Sequence, residues 1–234
     1  MLNTLKDLKI KVIGFDADDT LWKNEDLFLN ALNEIKDILK LNSNNFDKEV
    51  FKTEKSNLDI YGYGIKCFIL SIIETFAKNS HEELKNESIN QIIKLGKKML
   101  NAPVDLIEGV EKVLSILSKK YKLILITKGD LLDQERKIKK SKLEKYFKHK
   151  KIVSEKNKQT YLNILDDLKI EPQNFLMVGN SFKSDVLPVL EIGGNGIHIP
   201  YKILWEHENI NTNKYSKRYI KLDKISDLTS VINL

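Results

Sequence analysis

The hydrophobic pattern of the chain changes between two kinds of period. The run at 9–15, KIKVIGF, is short, apolar and rich in β-branched residues, which predicts a strand buried on both faces. In the next part of the chain, apolar residues recur at helical spacing, as in EDLFLNALNEIKDIL at 25–39. The segments 65–78 and 87–100 have the same spacing, so this part predicts helices until Pro103 ends it.

After Pro103, short apolar runs alternate with helical stripes. Such alternation favours right-handed crossovers, so we predict a doubly wound α/β core with a parallel sheet. Because the first predicted strand precedes the helical block, that block is an insertion into the core. Pro188 predicts a local irregularity in its helix. The predicted strands are 122–127, 150–155, 174–179, 196–200 and, at an edge of the sheet, 218–222; the predicted helices are 108–120, 131–143, 158–168 and 183–192.

Composition and charge narrow the possible functions. The chain has 234 residues, of which 41% are hydrophobic and 31% charged, and its net charge of +6 fits a solvated globular surface. No arginine-rich or mixed basic and aromatic run suggests a nucleic-acid partner. Since Cys67 is the only cysteine, an intrachain disulfide and a multi-cysteine zinc site are excluded. No apolar run reaches the ~18 residues of a membrane helix, and the N-terminus lacks a signal-peptide core, so we expect a cytoplasmic protein without a membrane partner.

Polar residues follow four of the predicted strands at the point where each strand ends. Asp16 and Asp18 follow the first, Thr127 ends the second, Lys156 follows the third, and GNSFKSD at 179–185 follows the fourth. Ligands of doubly wound sheets bind at the carboxyl ends of the strands, so we expect these side chains to converge. The acidic cluster alone would also suit a turn or a helix cap, but the other strand ends favour a site.

These residue types suit phosphoryl transfer. A carboxylate at Asp16 can attack a phosphoryl group and form an aspartyl-phosphate. Asp18 can protonate the leaving oxygen and then deprotonate the attacking water. Thr127, with Lys128 beside it, can bind phosphate oxygens, and Lys156 supplies positive charge for the transferring group.

The crowding of carboxylates after the first strand predicts a cation. Like charges at close range repel, and each is costly to remove from water. Mg²⁺ prefers about six oxygen ligands and often combines carboxylates with water and phosphate. Asp16, the backbone carbonyl of Asp18 and an oxygen from Asn180 or Asp185 would form such a set. We therefore expect Mg²⁺ as the cofactor.

The chain resembles the haloacid dehalogenase superfamily of hydrolases. The matches follow the family's order: FDADDTLW for its DxDxT motif, ILIT for the second motif, VSEKNKQTY for the lysine motif and MVGNSFKSDV for the acidic motif. They cover residues 1–21 and roughly 104–234. The resemblance implies a Rossmann-like catalytic core over these ranges, Mg²⁺, and phosphoryl transfer through Asp16. It also implies that the insertion at 22–103 is a helical cap domain over the site.

Two positions depart from the family pattern. The family often has an acidic residue directly after the glycine of the last motif, where this chain has Asn180. An amide oxygen can bind Mg²⁺ but brings no charge, so Asp185 becomes the expected carboxylate, acting directly or through water. The motif lysine often precedes proline, whereas Asn157 follows Lys156 here, and Lys158 is a second candidate. Lys156 is closer to the strand end and is preferred.

The leading hypothesis is a Mg²⁺-dependent hydrolase of small phosphomonoesters, whose partner is a phosphorylated metabolite. A 2-haloacid dehalogenase would use the same aspartate to attack carbon, but it needs neither a metal nor a second carboxylate. A phosphomutase shares the residues and must shield its phospho-enzyme from water. A binding or regulatory protein with weak catalysis is the alternative from another class. The intact Asp16, Asp18, Thr127 and Lys156 argue against it, and Asn180 keeps it open. The sequence favours no particular oligomeric state.

Overall fold

The chain divides into two compact units. The computed structural model describes residues 9–41, 44–79, 85–203 and 219–232. One unit comprises residues 1–23 and 104–234 and is called the core unit below. The other comprises residues 24–103 and is called the helical unit.

The core unit is built on a six-stranded sheet in which every neighbouring pair is parallel. The strands are β1 (Val12–Phe15), β2 (Lys122–Lys128), β3 (His149–Val153), β4 (Phe175–Gly179), β5 (Asn195–His198) and β6 (Ile220–Lys221). Their order is β3-β2-β1-β4-β5-β6, so the chain changes direction across the sheet between β1 and β4. This confirms the predicted doubly wound α/β fold, in which ligands bind at that point.

Helices form most of the remaining regular structure. The helical unit contains α1 (Glu25–Ile38), α2 (Asn44–Tyr61), α3 (Ile65–Asn79) and α4 (Asn86–Asn101). The core unit contains α5 (Val110–Leu117), α6 (Leu131–Ser141), α7 (Lys158–Asp167), α8 (Leu187–Glu191) and α9 (Leu228–Val231). Short 3₁₀ turns lie at Glu144–Tyr146, Pro172–Asn174 and Ile225–Asp227. In the described ranges, no helix combines the length and apolarity needed to span a membrane.

Two helical segments differ from the sequence prediction. The hydrophobic pattern does not predict α2, because its buried apolar side chains are few, with Phe46 and Val50 among them. The predicted helix at 183–192 forms instead as a π-helical turn, Phe182–Val186, followed by α8. Pro188 is the second residue of α8, directly after the π-helical turn, so its missing N–H falls where the hydrogen-bond pattern changes from π to α. The expected irregularity near Pro188 is therefore confirmed, as a π turn of the kind often found at functional sites.

Helices cover both faces of the sheet. Ile13 and Phe15 of β1 pack into one buried cluster with Leu114 of α5. Val12 of β1 packs into a separate cluster with Tyr161 of α7. Because alternate residues of a strand point to opposite faces, a strand covered on both sides is apolar throughout. This explains why β1 and β4, in the interior of the sheet, read as continuous apolar runs.

The helical unit has a hydrophobic core of its own. Ile35 of α1, Ile72 of α3 and Ile92 of α4 are fully buried in one cluster. A row of neutral polar groups is buried between α2 and α3, where Asn57 Nδ2 donates to Ser71 Oγ at 3.1 Å. The apolar stripes of the sequence thus have partners within the unit itself.

Candidate active site

The candidate site lies at the carboxyl edge of the sheet, where β1 and β4 end side by side. Phe15 pairs with Val178, and Asp16 continues the ladder by donating its backbone N–H to the Val178 carbonyl at 2.9 Å. Thr127 lies at the end of β2, and Lys156 follows β3. Parallel strands present their carboxyl ends at the same edge, so the polar residues of these ends meet in the core unit.

Asp16, Lys156 and Asp185 form a buried charged cluster. Lys156 Nζ donates to Asp16 Oδ1 at 2.5 Å and to Asp185 Oδ1 at 2.7 Å. The most exposed of the three side chains is that of Asp16, at 9%. One ammonium between two ionised carboxylates leaves a net negative charge in a space largely removed from water, which is unfavourable without further compensation.

The pKa values of Asp16 and Lys156 are both raised in this cluster. Burial raises the pKa of Asp16 to about 7, opposed by the attraction of Lys156 and reinforced by repulsion from Asp185. Burial lowers the pKa of Lys156, but the attraction of the two carboxylates is stronger, and the net shift is upward. The lysine therefore stays charged, while the carboxylate of Asp16 resists ionisation. A cation next to Asp16 would remove that resistance.

The backbone at the end of β4 is shaped around the Asp185 carboxylate. A Cβ at Gly179 would lie 2.1 Å from Asp185 Oδ2, so only glycine leaves room there. The same oxygen accepts the backbone N–H of Ser181 at 3.0 Å. The π-helical turn returns Asp185 to the strand end, and its two oxygens contact Ser181 and Lys156.

Asn180 approaches the other oxygen of the Asp16 carboxylate. Thr20 Oγ1 donates to Asp16 Oδ2 at 3.0 Å and accepts the backbone N–H of Asn180 at 3.0 Å. The end of the Asn180 amide lies 3.1 Å from Asp16 Oδ2 and 3.1 Å from the backbone carbonyl oxygen of Asp18. With its nitrogen there, the amide donates to both oxygens. With its oxygen there, three oxygens converge, and the Thr20 hydroxyl lies within hydrogen-bond distance of two of them, at 3.0 Å from Asp16 Oδ2 and 3.2 Å from Asn180 Oδ1.

The three converging oxygens fit Mg²⁺ by their chemistry. A carboxylate, a backbone carbonyl and an amide are hard oxygen donors, and neighbouring ligands of an octahedral Mg²⁺ lie about 3 Å apart. Across the ranges that the structure describes, no group of three or more His, Cys, Asp or Glu side chains is arranged to hold a metal. A cation here would therefore depend on the amide of Asn180 and the carbonyl of Asp18 as well as on Asp16.

The side chain of Asp18 has quite different neighbours from that of Asp16. Lys137 Nζ donates to both of its carboxylate oxygens at 2.7 Å. Trp22 Nε1 donates to Oδ1 at 2.6 Å, and Gln134 Nε2 donates to Oδ2 at 3.1 Å. The Asp18 side chain is 23% exposed, so it borders solvent while Asp16 is enclosed.

Thr127 and Lys128 end β2 with a hydroxyl and an ammonium. Thr127 is buried, and its Oγ1 accepts a hydrogen bond from Gln134 Nε2 at 2.5 Å. Lys128 Nζ donates to Ser184 Oγ at 3.1 Å and lies 3.8 Å from Glu155 Oε1. Both side chains are of the types that bind phosphate oxygens.

Of the two candidate lysines, only one lies in the cluster. Lys156 reaches Asp16, whereas Lys158 is exposed at the start of α7. Asn157 between them caps that helix, because its Oδ1 accepts the backbone N–H of Thr160 at 2.9 Å. The departure from proline after the motif lysine is thus explained by a helix cap.

Sequence reasoning missed Thr20, Gln134 and Lys137 as members of the site. Thr20 is the threonine of the DxDxT pattern, and its contacts with Asp16 and Asn180 could have been sought there. The other two were read only as part of an amphipathic helix. Their spacing of three puts them on one face of α6, whose first turn follows β2 directly at the carboxyl edge.

Comparison with known proteins gives one family. The family model described as haloacid dehalogenase-like hydrolase matches residues 10–193. A haloacid dehalogenase-like family hydrolase from Xanthomonas campestris is 36% identical, with a TM-score of 0.84, over 96% of this chain and 91% of that chain. No curated protein matches the sequence.

Two further solved structures are similar in fold. The putative HAD-hydrolase YfnB from Bacillus subtilis, described as bound to magnesium, is 16% identical with a TM-score of 0.69, over 97% of this chain and 100% of that chain. A predicted phosphoglycolate phosphatase from Haemophilus somnus is 18% identical with a TM-score of 0.67, over 96% of this chain and 99% of that chain.

Proposed function

The chain belongs to the haloacid dehalogenase-like hydrolase family, and on that premise we propose that it is a Mg²⁺-dependent phosphatase of small phosphomonoesters. The observation that carries this proposal is the environment of Asp16. Lys156 contacts one of its carboxylate oxygens, and Thr20 and Asn180 lie at the other. An enclosed carboxylate with an ammonium on one side and oxygen ligands suited to a cation on the other suits a nucleophile that attacks a phosphoryl group.

The first half-reaction moves the phosphoryl group to Asp16. An oxygen of its carboxylate attacks phosphorus, a new P–O bond forms, and the P–O bond to the leaving group breaks with its electron pair on the leaving oxygen. Asp18, in its protonated form, gives its proton to that oxygen. Thr127 and Lys128 bind the non-bridging oxygens, and Lys156 offsets part of their charge.

The second half-reaction restores the enzyme. Asp18, now a carboxylate, takes a proton from water as the water oxygen attacks phosphorus. The bond between phosphorus and the Asp16 oxygen breaks, its electron pair returns to the carboxylate, and inorganic phosphate is released. Asp18 ends the cycle protonated, as it began, so protons and charges balance over the two steps.

Asp16, the backbone carbonyl of Asp18 and Asn180 are the residues proposed to hold Mg²⁺. When bound, the cation supplies positive charge for the phosphoryl oxygens and for the crowded carboxylates. Asp185 is proposed as a positioning residue for Lys156, since its oxygens contact Lys156 and Ser181. The helical unit is proposed as a cap domain that selects the substrate.

The contacts of Asp18 support phosphatase chemistry over dehalogenation. Attack on the carbon of a haloacid expels halide, which needs no proton, so that step gives a second carboxylate no task as a general acid. Here the second carboxylate is held by Lys137, Trp22 and Gln134 at the border of the site. Such organisation of Asp18 is expected where it takes part in proton transfer.

The test is release of phosphate by the purified full chain from an aryl phosphate and a panel of phosphorylated metabolites. It is run with Mg²⁺, with chelator, and with Mg²⁺ restored, and halide release from 2-haloacids is measured in parallel. We expect phosphate release that needs Mg²⁺ and no halide release. Full activity in chelator, or halide release without phosphatase activity, would overturn the proposal.

A further inference from the structure

Gln134 is buried at the centre of a small hydrogen-bond group. Its side chain is 1% exposed. Its Nε2 lies 2.5 Å from Thr127 Oγ1, 3.1 Å from Asp18 Oδ2 and 3.1 Å from the backbone carbonyl oxygen of Lys128, and these three acceptors share its two hydrogens. One amide group on α6 thus joins the segment after β1 to the end of β2.

The orientation of the Gln134 amide follows from its partners. The backbone carbonyl of Lys128 can only accept a hydrogen bond, so the amide nitrogen of Gln134, not its oxygen, must face it. Nε2 also faces the Asp18 carboxylate, whose two oxygens accept from Lys137 Nζ at 2.7 Å. The Lys128 carbonyl therefore fixes the amide so that its nitrogen, and not its oxygen, faces Thr127.

The backbone makes room for this arrangement at Gly129. A Cβ there would lie 3.1 Å from Gln134 Cγ and 3.2 Å from its Cδ. Gly129 also has a φ of 145°, which side-chain-bearing residues rarely adopt. The turn after β2 is thus built so that the glutamine side chain can fold against it.

The consequence concerns the hydroxyl proton of Thr127. A threonine hydroxyl has one proton to donate, and its oxygen can accept. Since Gln134 donates to this oxygen, the proton must point away from Gln134. If an acceptor occupied that place instead, the hydroxyl would donate to it, and a phosphate oxygen would meet the lone pairs of Thr127.

We propose that Gln134 is a positioning residue that keeps the Thr127 hydroxyl as a hydrogen-bond donor toward the phosphate. This inference rests on the proposed function and assigns a task to a residue outside the family motifs described above. Gln134 acts through Thr127, so its effect on phosphate binding should disappear when the Thr127 hydroxyl is absent.

The test is a double-mutant cycle on the binding of inorganic phosphate with Mg²⁺, measured by calorimetry on the full chain. Gln134→Met keeps the length of the side chain and removes its donor, and we expect phosphate affinity to fall roughly 3–30-fold. In Thr127→Val, the same substitution should change affinity less than about twofold. In Thr127→Ser, which keeps a hydroxyl, the effect of Gln134→Met should return.

Gln134→Glu sharpens the test because it replaces a donor by an acceptor of the same shape. The Thr127 hydroxyl would then donate to the new carboxylate, so the loss should exceed that of Gln134→Met. Gln173→Glu is the matched control, since Gln173 is exposed in the 3₁₀ turn before β4, at the opposite edge of the sheet. Melting temperatures of all variants show whether each remains folded.

The outcomes separate this inference from the proposed function. Equal losses from Gln134→Met with and without the Thr127 hydroxyl would overturn the inference, even if the enzyme is a phosphatase. Binding of phosphate with the expected coupling, but without turnover of any phosphomonoester, would overturn the proposed function alone. A wild-type protein that binds no phosphate would overturn both. If Gln134→Met fails to fold, Gln134→Glu in the Thr127→Val and Thr127→Ser backgrounds gives the same comparison.

Discussion

The two units of the chain bury different kinds of polar side chain. In the core unit, the buried polar groups include charged residues in or near the segments that follow the strands: Asp16, Asp19, Asp133, Lys156 and Asp185. In the described part of the helical unit, the buried polar side chains are neutral: Asn57, Ser71 and Thr75. The neutral groups bond to one another and to nearby side chains, as Asn57 does to Ser71 and to Glu74.

The two kinds of buried group differ in what they cost the folded protein. Burying a charge costs several times more free energy than burying a neutral group that keeps its hydrogen bonds, and only excellent pairing offsets it. The core unit bears that cost at one edge of its sheet, where Asp16 resists ionisation. Among the described residues of the helical unit, no charged residue is buried to that degree. Substitutions in the two units should therefore affect different measurements.

The largest effect is expected for Asp16→Asn, which removes the proposed nucleophile. Turnover should fall at least roughly 10⁴-fold, because loss of the attacking group stops covalent catalysis. Asp223→Asn, at an exposed position of the core unit, is the control. Phosphate release is measured after mass spectrometry has excluded deamidation back to aspartate. Residual turnover within tenfold of the wild type would remove Asp16 as the nucleophile.

Asp18→Asn should lower turnover by roughly 10²–10⁴-fold, the usual contribution of general acid–base catalysis. The loss should be smaller for aryl phosphates whose leaving groups need no proton. A series of aryl phosphates with leaving groups of different pKa measures this dependence. Equal losses along the whole series would contradict the proton-transfer role of Asp18.

Asn180→Asp should tighten the apparent affinity for Mg²⁺ by roughly tenfold, because it adds a negative charge next to Asp16 and the Asp18 carbonyl. The measurement is a Mg²⁺ titration of the phosphatase rate at one pH. Asn163→Asp, on the exposed side of α7, adds the same charge away from the site and should not shift the midpoint. If Asn180→Asp leaves the midpoint unchanged, Asp185 is the better candidate for the direct ligand.

In the helical unit, Asn57→Ala should lower stability by about 1–3 kcal/mol, because Ser71 and Glu74 lose a buried partner. The turnover number for a small aryl phosphate should change less than about threefold, since the reacting groups belong to the core unit. Ser56→Ala is the control, because Ser56 is exposed and its hydroxyl donates to the Thr53 carbonyl within the same helix. A large loss of turnover at unchanged stability would contradict the division between the units.

The smallest effect is a pH dependence of stability in the metal-free protein. The pKa of Asp16 is raised in the folded state from 3.8 to about 7, so the folded protein holds a proton that the unfolded chain has lost. Stability from this group therefore falls as the pH rises from about 4 to about 7, and is constant above. In chelator, the melting temperature of Asp16→Asn minus that of the wild type should increase over this window by roughly 5 °C. A difference that stays flat from pH 4 to 8 would contradict the raised pKa.

The order of strands and helices in the core unit was predictable because it depends on local pattern. Each predicted strand is present, although β1 begins at Val12 rather than at residue 9. Of the edge strand predicted at 218–222, Ile220–Lys221 forms, while Arg218 lies outside the described residues. In the helical unit, α2 was missed because few of its residues are apolar. The side that packs against α3 therefore does not appear as an apolar stripe in the sequence.

The sequence by itself determined which residues come to the carboxyl edge of the sheet, because a residue's place after a strand is a local property. Only the tertiary structure decided which of them touch. Lys156 joins Asp16 across 140 positions, and Gln134 joins Asp18 across 116. Such contacts depend on how strands pair and how α6 and the π-helical turn pack. The hydrophobic periodicity along the chain does not predict this packing. For that reason the motif aspartates could be read from the chain, whereas the separate neighbours of Asn180 and Asp185, and the role proposed for Gln134, required the fold.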